Sequence, residues 1–313
     1  MRKNKLLFTG AAALGAGVAA LTVSSYLRQK REATERLALN SQVAETARGP
    51  VEYAVTGTGP PVLVLHGAGG GYNQCVIDRL RDIGFQLLTP SRPGYLRTPL
   101  ETGRDPDEQA AAFAALLDEL GIDQVAVIGI SAGGPPAIQF ALNYPQRCWA
   151  LVLISAVSGP LHHVPLPFNA LAGLLPYADF PMWLGLQMPL IPVLGGPPPW
   201  AQARMDVERR ALLRTVARSF FPLGPRVAGM RNDLRWLDQI EGYSLKKITA
   251  PALVIHGEAD PLVPIEHGLR SAEAIPGAEF LPLPGGDHLV FITHLEQTKP
   301  ALLEFLSKHR PEE

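Results

Sequence analysis

The stretch "VAVIGISAGGPP", residues 125–136, decides the fold. Its apolar residues run without polar alternation, which describes a strand covered on both faces, as in a parallel sheet. The run halts at Ser131, with Gly129 and Gly133 two positions to either side. A strand that turns into a helix within one or two residues strains its central residue and crowds the neighbours, and glycine removes the side chains that would collide. Ligands in open α/β sheets bind at the carboxyl ends of the strands, so the Ser131 hydroxyl is predicted to stand at the mouth of that crevice. Amides at the start of the following helix would face whatever the serine attacks and favour developing negative charge there. Pro135 and Pro136 predict a kinked helix start, because proline is tolerated only where amides lack intrahelical acceptors.

Outward from this junction the same pattern repeats. "VEYAVTG" reads as a short strand, and "PPVLVLHGAGGG", "FQLLTPSRPGY", "ALVLISAV" and "ALVIHGEAD" read as buried strands ending in turns. Helical stretches separate them. In "DPDEQAAAFAALLDELGI", Asp105 is the expected cap, Pro106 takes the first helical position and Glu108 follows. Ala112, Leu116, Leu117 and Leu120 then share a face, and Gly121 ends the helix. The predicted fold is α/β, a mostly parallel, doubly wound sheet with a core over 50–157 and 248–313. Residues 158–247 break the alternation with proline, aromatics and then "AQARMDVERRALLRTVARSF"; they read as an inserted helical lid, or as helices extending the core.

The chain begins differently. Arg2, Lys3 and Lys5 precede an uncharged stretch from Leu6 to Leu27, long enough to cross a bilayer as a helix. The segment 1–27 is therefore expected to be a membrane anchor, placing the protein at a membrane, or a secretory signal cleaved near Val18–Ala20 on export; a helix of the soluble fold is the third reading. Residues 28–49 read as a charged linker.

Composition limits the functions available. With 313 residues, 47% hydrophobic and 18% charged, the chain can build a full core, and its net charge of -1 lacks the basic face that nucleic acid requires. Cys75 and Cys148 match no metal or disulfide spacing and read as small buried hydrophobes, so no metal site or disulfide framework is expected; no cofactor is expected either.

"GISAGG" resembles the nucleophile elbow of the α/β-hydrolase family. "LHGAGGG" at 65–71 is similar to that family's glycine-rich oxyanion loop, and "HGEADPLVP" and "LPGGDH" resemble its acid and histidine turns. The likeness covers roughly Val51 to His309 and implies the order Ser131, Asp260, His288 for nucleophile, acid and base. The chemistry agrees. A serine hydroxyl needs a base with a pKa near neutrality, and His288 alone among the histidines sits in a Gly-rich turn after a predicted late strand. Asp260 would fix its tautomer, with Glu258 and Asp287 as competitors. Ala68 and Ala132 are the expected oxyanion amides, with Gly69 the alternative to Ala68. His66, with Gly67 and Gly69, belongs to the oxyanion loop and is expected to brace it by hydrogen bonding. His162 and His163 lie in the lid, where surface or substrate contact is expected.

Serine at the elbow, where the epoxide-hydrolase and dehalogenase branches use a carboxylate, implies acyl transfer to water through an acyl-enzyme. Phe168, Trp183 and Trp200 in the lid suggest an apolar acyl or alcohol portion in a small-molecule substrate, or equally form the core of the lid. The expected reaction is carboxylic ester hydrolysis; carbon–carbon bond hydrolysis and cofactor-free perhydrolysis are the enzymatic alternatives, and a non-catalytic ligand-binding receptor is the other class.

Overall fold

The computed structural model describes residues 2–74, 84–161, 174, 177–191, 193–237 and 239–311, with side chains from Ala16 onward. The strands are β1 (Gln42–Thr46), β2 (Gly49–Thr56), β3 (Pro61–Leu65), β4 (Gln86–Pro90), β5 (Val125–Ile130), β6 (Cys148–Ile154), β7 (Ala252–Gly257) and β8 (Glu279–Leu283). They form one sheet in the order β1-β2-β4-β3-β5-β6-β7-β8. Only the β1–β2 and β2–β4 pairs are antiparallel. The helices are α1 (Arg2–Leu39), α2 (Pro106–Glu119), α3 (Gly134–Asn143), α4 (Asp179–Leu186), α5 (Pro199–Gln202), α6 (Val207–Ser219), α7 (Val227–Leu237), α8 (Glu266–Ala274), α9 (Val290–Thr293) and α10 (Leu295–His309).

The unbroken apolar runs fill both faces of the sheet by alternation. Leu63, Leu65, Val127, Leu151, Leu153 and Val254 point to one side, where Phe113 and Leu116 of α2 and Phe140 of α3 cover them. Val64, Ile128, Val152, Ile154 and Ile255 point to the other, against Leu302 and Phe305 of α10. Parallel register aligns the strand ends: Leu65 lies opposite Gly129, Ile130 opposite Ile154, and Ile154 opposite Ile255. The residues that follow β3, β5 and β7 therefore emerge at one edge. Helix α2 starts as its sequence dictates, with the Asp105 carboxylate accepting from the Glu108 amide at 2.8 Å.

Helices α4 to α7 lie between β6 and β7, within the stretch read as a lid. Asp206 caps α6 by accepting from the Arg209 amide at 2.7 Å. His162, His163 and Phe168 lie outside the described residues, as does Cys75.

The N-terminal expectation is corrected. Among the described residues no helix is long and apolar enough to cross a membrane, which overturns the membrane anchor and the membrane localisation built on it, and the export alternative is not retained. From Arg28 onward α1 carries Lys30, Arg31, Glu32, Glu35 and Arg36, and one of its faces is committed to protein. The Tyr26 ring meets Phe180 and Trp183 edge-on, with centroids 5.2 and 5.7 Å away, and Lys30 pairs with Asp179 at 2.7 Å. Residues 28–39 complete this helix, and β1 follows within the stretch read as linker. Only Ala44 of β1 is buried, so an edge strand this polar leaves little hydrophobic signal.

Candidate active site

Ser131 sits at the strand-to-helix junction with φ at +53°, in the left-handed region that L-residues avoid. The backbone turns through a 3-10 segment, Ser131–Gly133, before α3 begins. The flanking glycines are sterically required. A Cβ on Gly133 would lie 2.2 Å from the Leu65 carbonyl oxygen, and one on Gly129 would lie 2.7 Å from Cβ of Ala137. Gly134 is equally confined, 2.5 Å from the Val157 carbonyl oxygen, a requirement the sequence analysis did not single out. Pro135 and Pro136 fall in the first turn of α3, where the missing amides have no intrahelical acceptor to lose.

The acid and histidine turns meet beside this junction. His288 Nδ1 lies 2.7 Å from Asp260 Oδ2, and the other carboxylate oxygen accepts from the amides of Leu262 at 2.8 Å and Val263 at 3.0 Å. Burial by itself would raise the Asp260 carboxyl, but its bonds to His288 and to the two amides outweigh that and hold it below the ordinary carboxylate range. Of the competitors, Asp287 turns to the Leu289 amide and the Thr293 hydroxyl, and Glu258 is exposed. His256 adds a brace: its Nε2 lies 2.8 Å from the Val263 carbonyl oxygen, which pins the turn that presents Asp260.

The loop after β3 approaches Ser131 closely, since a Cβ on Gly67 would lie 3.0 Å from that of Ser131. His66 is buried and accepts at Nε2 from the Arg92 amide at 2.9 Å, so its Nδ1 carries the proton, 2.7 Å from the Gly67 carbonyl oxygen. Burial, with the charge of Arg92 next, holds this imidazole well below its ordinary pKa and therefore neutral. Arg92 Nε also donates to the His66 carbonyl oxygen at 2.8 Å, and its guanidinium is answered by Asp233 of α7, with Oδ1 at 3.0 Å from Nη1. No motif in the sequence marks Arg92 or Asp233. They lie 141 residues apart, and nothing in "SRPGY" or "MRNDLRW" points from one to the other.

Ser131 and His288 share one cavity of about 410 Å³ with Gly67, Ala68 and Gly69. Its remaining lining is overwhelmingly apolar, including Met182, Leu186, Val216 and Phe220 from the helices between β6 and β7. Among the described lining residues there is no lysine, arginine, aspartate or glutamate, and Gln74 is the one polar side chain besides Ser131 and His288. Ala132, which follows Ser131 in the turn, is buried and is not among the residues that line the cavity. Of the two readings of the tryptophans, Trp183 takes that of lid core, and neither Trp183 nor Trp200 lines the cavity. Trp183 is buried against Tyr26 and Ala33 of α1, and Trp200 is 66% exposed beneath the Arg204 guanidinium. The loop before α5 closes over the histidine instead: Gly195, at φ +72°, accepts from the His288 amide at 3.1 Å, and a Cβ there would lie 3.0 Å from that of His288.

Residues 60–295 match the alpha/beta hydrolase fold family. The chain belongs to that family. This α/β hydrolase is 32% identical over 273 residues, 82% of its own chain and 95% of the other, to an uncharacterized hydrolase, YcgS, of Bacillus subtilis (strain 168). It is 31% identical, over 82% of its chain and 91% of the other, to a 2-hydroxy-6-oxononadienedioate/2-hydroxy-6-oxononatrienedioate hydrolase of Paraburkholderia phymatum. Among solved structures it is similar to an alpha/beta hydrolase fold protein from Nakamurella multipartita, with a TM-score of 0.71, 34% identity and coverage of 85% and 98% of the two chains. A meta-cleavage product hydrolase from Pseudomonas fluorescens IP01 follows at TM-score 0.65, 25% identity and coverage of 85% and 97%. These relatives are hydrolases, and hydrolase is the activity class of this chain.

Proposed function

We propose that this α/β hydrolase is a serine hydrolase that cleaves a carbon–carbon bond beside a ketone in an apolar, weakly charged substrate. Ser131 is the nucleophile, His288 the base, Asp260 the group that fixes the histidine tautomer, and the amides of Ala68 and Ala132 the oxyanion donors. The observation that carries this reading is the 2.7 Å Asp260–His288 contact beside a cavity lined by both His288 and Ser131. Ser131 Oγ would bond to the ketone carbon and pass its proton to His288 Nε2. The tetrahedral oxyanion collapses by breaking the carbon–carbon bond, and His288 returns the proton to the departing carbon. Water, deprotonated by His288, then releases the acyl group as a carboxylic acid.

The choice of bond draws its support from the relatives. The compound named for the Paraburkholderia enzyme carries a ketone, a hydroxyl and two carboxylates but no ester or amide, so its hydrolysis breaks a carbon–carbon bond. A dicarboxylate fits this cavity poorly, because no cation among the described residues lines it. The carboxylic ester expected from the sequence becomes the second reading, and the same observation favours it: a neutral ester brings no carboxylate into a cavity that offers no cation among its described lining residues.

The test compares two probes on wild type and Ser131→Ala. One is 2-hydroxy-6-oxo-6-phenylhexa-2,4-dienoate, the compound named for a Comamonas testosteroni relative, followed by release of benzoate. The other is a series of 4-nitrophenyl esters of two to eight carbons. Ser131-dependent benzoate release supports the first reading, and turnover of esters alone supports the second. Absence of both, with no fluorophosphonate label on Ser131, would refute the serine-hydrolase assignment.

A further inference from the structure

Arg226, in the turn leading into α7, is fully buried. Its Nε donates to the Pro222 carbonyl oxygen at 3.1 Å, Nη1 to that of Gly70, and Nη2 to Asn73 Oδ1 at 3.2 Å and the Ser219 carbonyl oxygen at 2.8 Å. All four acceptors are neutral. The acidic groups whose charge reaches it, Glu52 and Asp179, already pair with Arg97 and Lys30. Arg92, equally buried, is answered directly by Asp233. Burial lowers the Arg226 pKa to about 10, which leaves it cationic at neutral pH. A buried charge without a counter-ion is costly, so its place in the fold matters.

That place is the oxyanion loop. Gly70 closes the turn that begins at Gly67, its amide donating to the Gly67 carbonyl oxygen at 3.2 Å, and Arg226 holds the carbonyl of the same residue. A Cβ on Gly71 would lie 2.7 Å from Arg226 Nη1, so the loop backbone lies directly on the guanidinium. We propose that Arg226 is a positioning residue for the oxyanion loop, and that its charge, which no carboxylate among the described residues meets directly, stabilises the anion formed when Ser131 attacks. This rests on the reading of Ser131 as nucleophile. Fixed charges and dipoles aimed at where charge develops need no reorganisation during reaction, which is how they lower a barrier. Asn73 is the telling neighbour, because a carboxylate at that position would pair with Arg226 and silence it.

The experiment is Asn73→Asp, which sets a carboxylate on Arg226 while leaving the guanidinium and its bond to Gly70 in place; it also removes the bond from Asn73 Nδ2 to the Ser219 carbonyl oxygen at 2.9 Å, a loss that Asn73→Ala shares. Its kcat should fall by about tenfold to hundredfold with KM within about threefold. Asn73→Ala removes the same amide without adding charge and should lose at least threefold less activity than Asn73→Asp. A trifluoromethyl ketone, which binds a serine as a tetrahedral anion, should lose affinity for Asn73→Asp by the same factor as kcat/KM, while the planar methyl ketone loses little. Arg226→Lys should retain more kcat than Arg226→Gln at matched stability. Wild-type turnover with Asn73→Asp within twofold of it, or equal losses in the Asp and Ala variants, would overturn this inference alone. Wild type without Ser131-dependent turnover would overturn it together with the serine-hydrolase reading.

Discussion

Asp260→Asn isolates what the carboxylate does for His288. Oδ1 of Asp260 accepts from two backbone amides, at 2.8 and 3.0 Å, and an asparagine carbonyl oxygen can accept both. The amide nitrogen then replaces Oδ2, 2.7 Å from His288 Nδ1, and presents a donor where an acceptor stood. To meet it, the imidazole must move its proton to Nε2, and in that tautomer it cannot take a proton from Ser131. The turn geometry survives while the proposed base is lost. An exchange of this kind in a serine–histidine pair lowers kcat by about ten-thousandfold, or about 5.5 kcal/mol of barrier. Initial rates on whichever probe wild type turns over, with KM measured separately, read the effect; kcat should fall and KM stay close. Stability adds a second readout. The Asp260 pKa is held below its unfolded value, so its stabilisation is complete above the unfolded pKa, about 4, and is lost as pH falls through the folded one. The asparagine variant should therefore lose stability less steeply on acidification than wild type. A variant with kcat within tenfold of wild type and an unchanged fold would refute the tautomer argument.

Further outcomes follow from packing and burial. Gly133→Ala places a methyl 2.2 Å from the Leu65 carbonyl oxygen, backbone that cannot swing aside, and should cost about 3 kcal/mol in urea unfolding. Gly121→Ala, at φ +64° in open space, should cost only about 1–2 kcal/mol, and equal losses at the two sites would refute the close-approach argument. The Cys148 thiol, pushed up to about 12 by burial, should resist iodoacetamide at pH 8 until urea unfolds the chain; peptide mass mapping that finds it alkylated in the folded protein would contradict this.

The sequence by itself determined the sheet and the edge at which Ser131 stands. Runs such as "VAVIGI" and "ALVIHG" carry no polar alternation because both faces of each strand are covered, and the glycines around Ser131 record clashes at backbone distance. Cap signals were equally local, as Asp105 and Glu108 show. Tertiary structure decided what depends on remote partners. The apolar start of the chain read as a membrane segment because hydropathy does not say which surface a helix meets, and the second half of α1 meets Phe180 and Trp183. Trp183 and Trp200 read equally as substrate contacts or as lid core, since a side chain's direction is set by the packing of its helix. Arg92 and Arg226 left no mark at all. Whether a buried arginine is answered by a carboxylate or held by carbonyls is fixed only when residues more than a hundred positions apart come together, and no local pattern encodes that meeting.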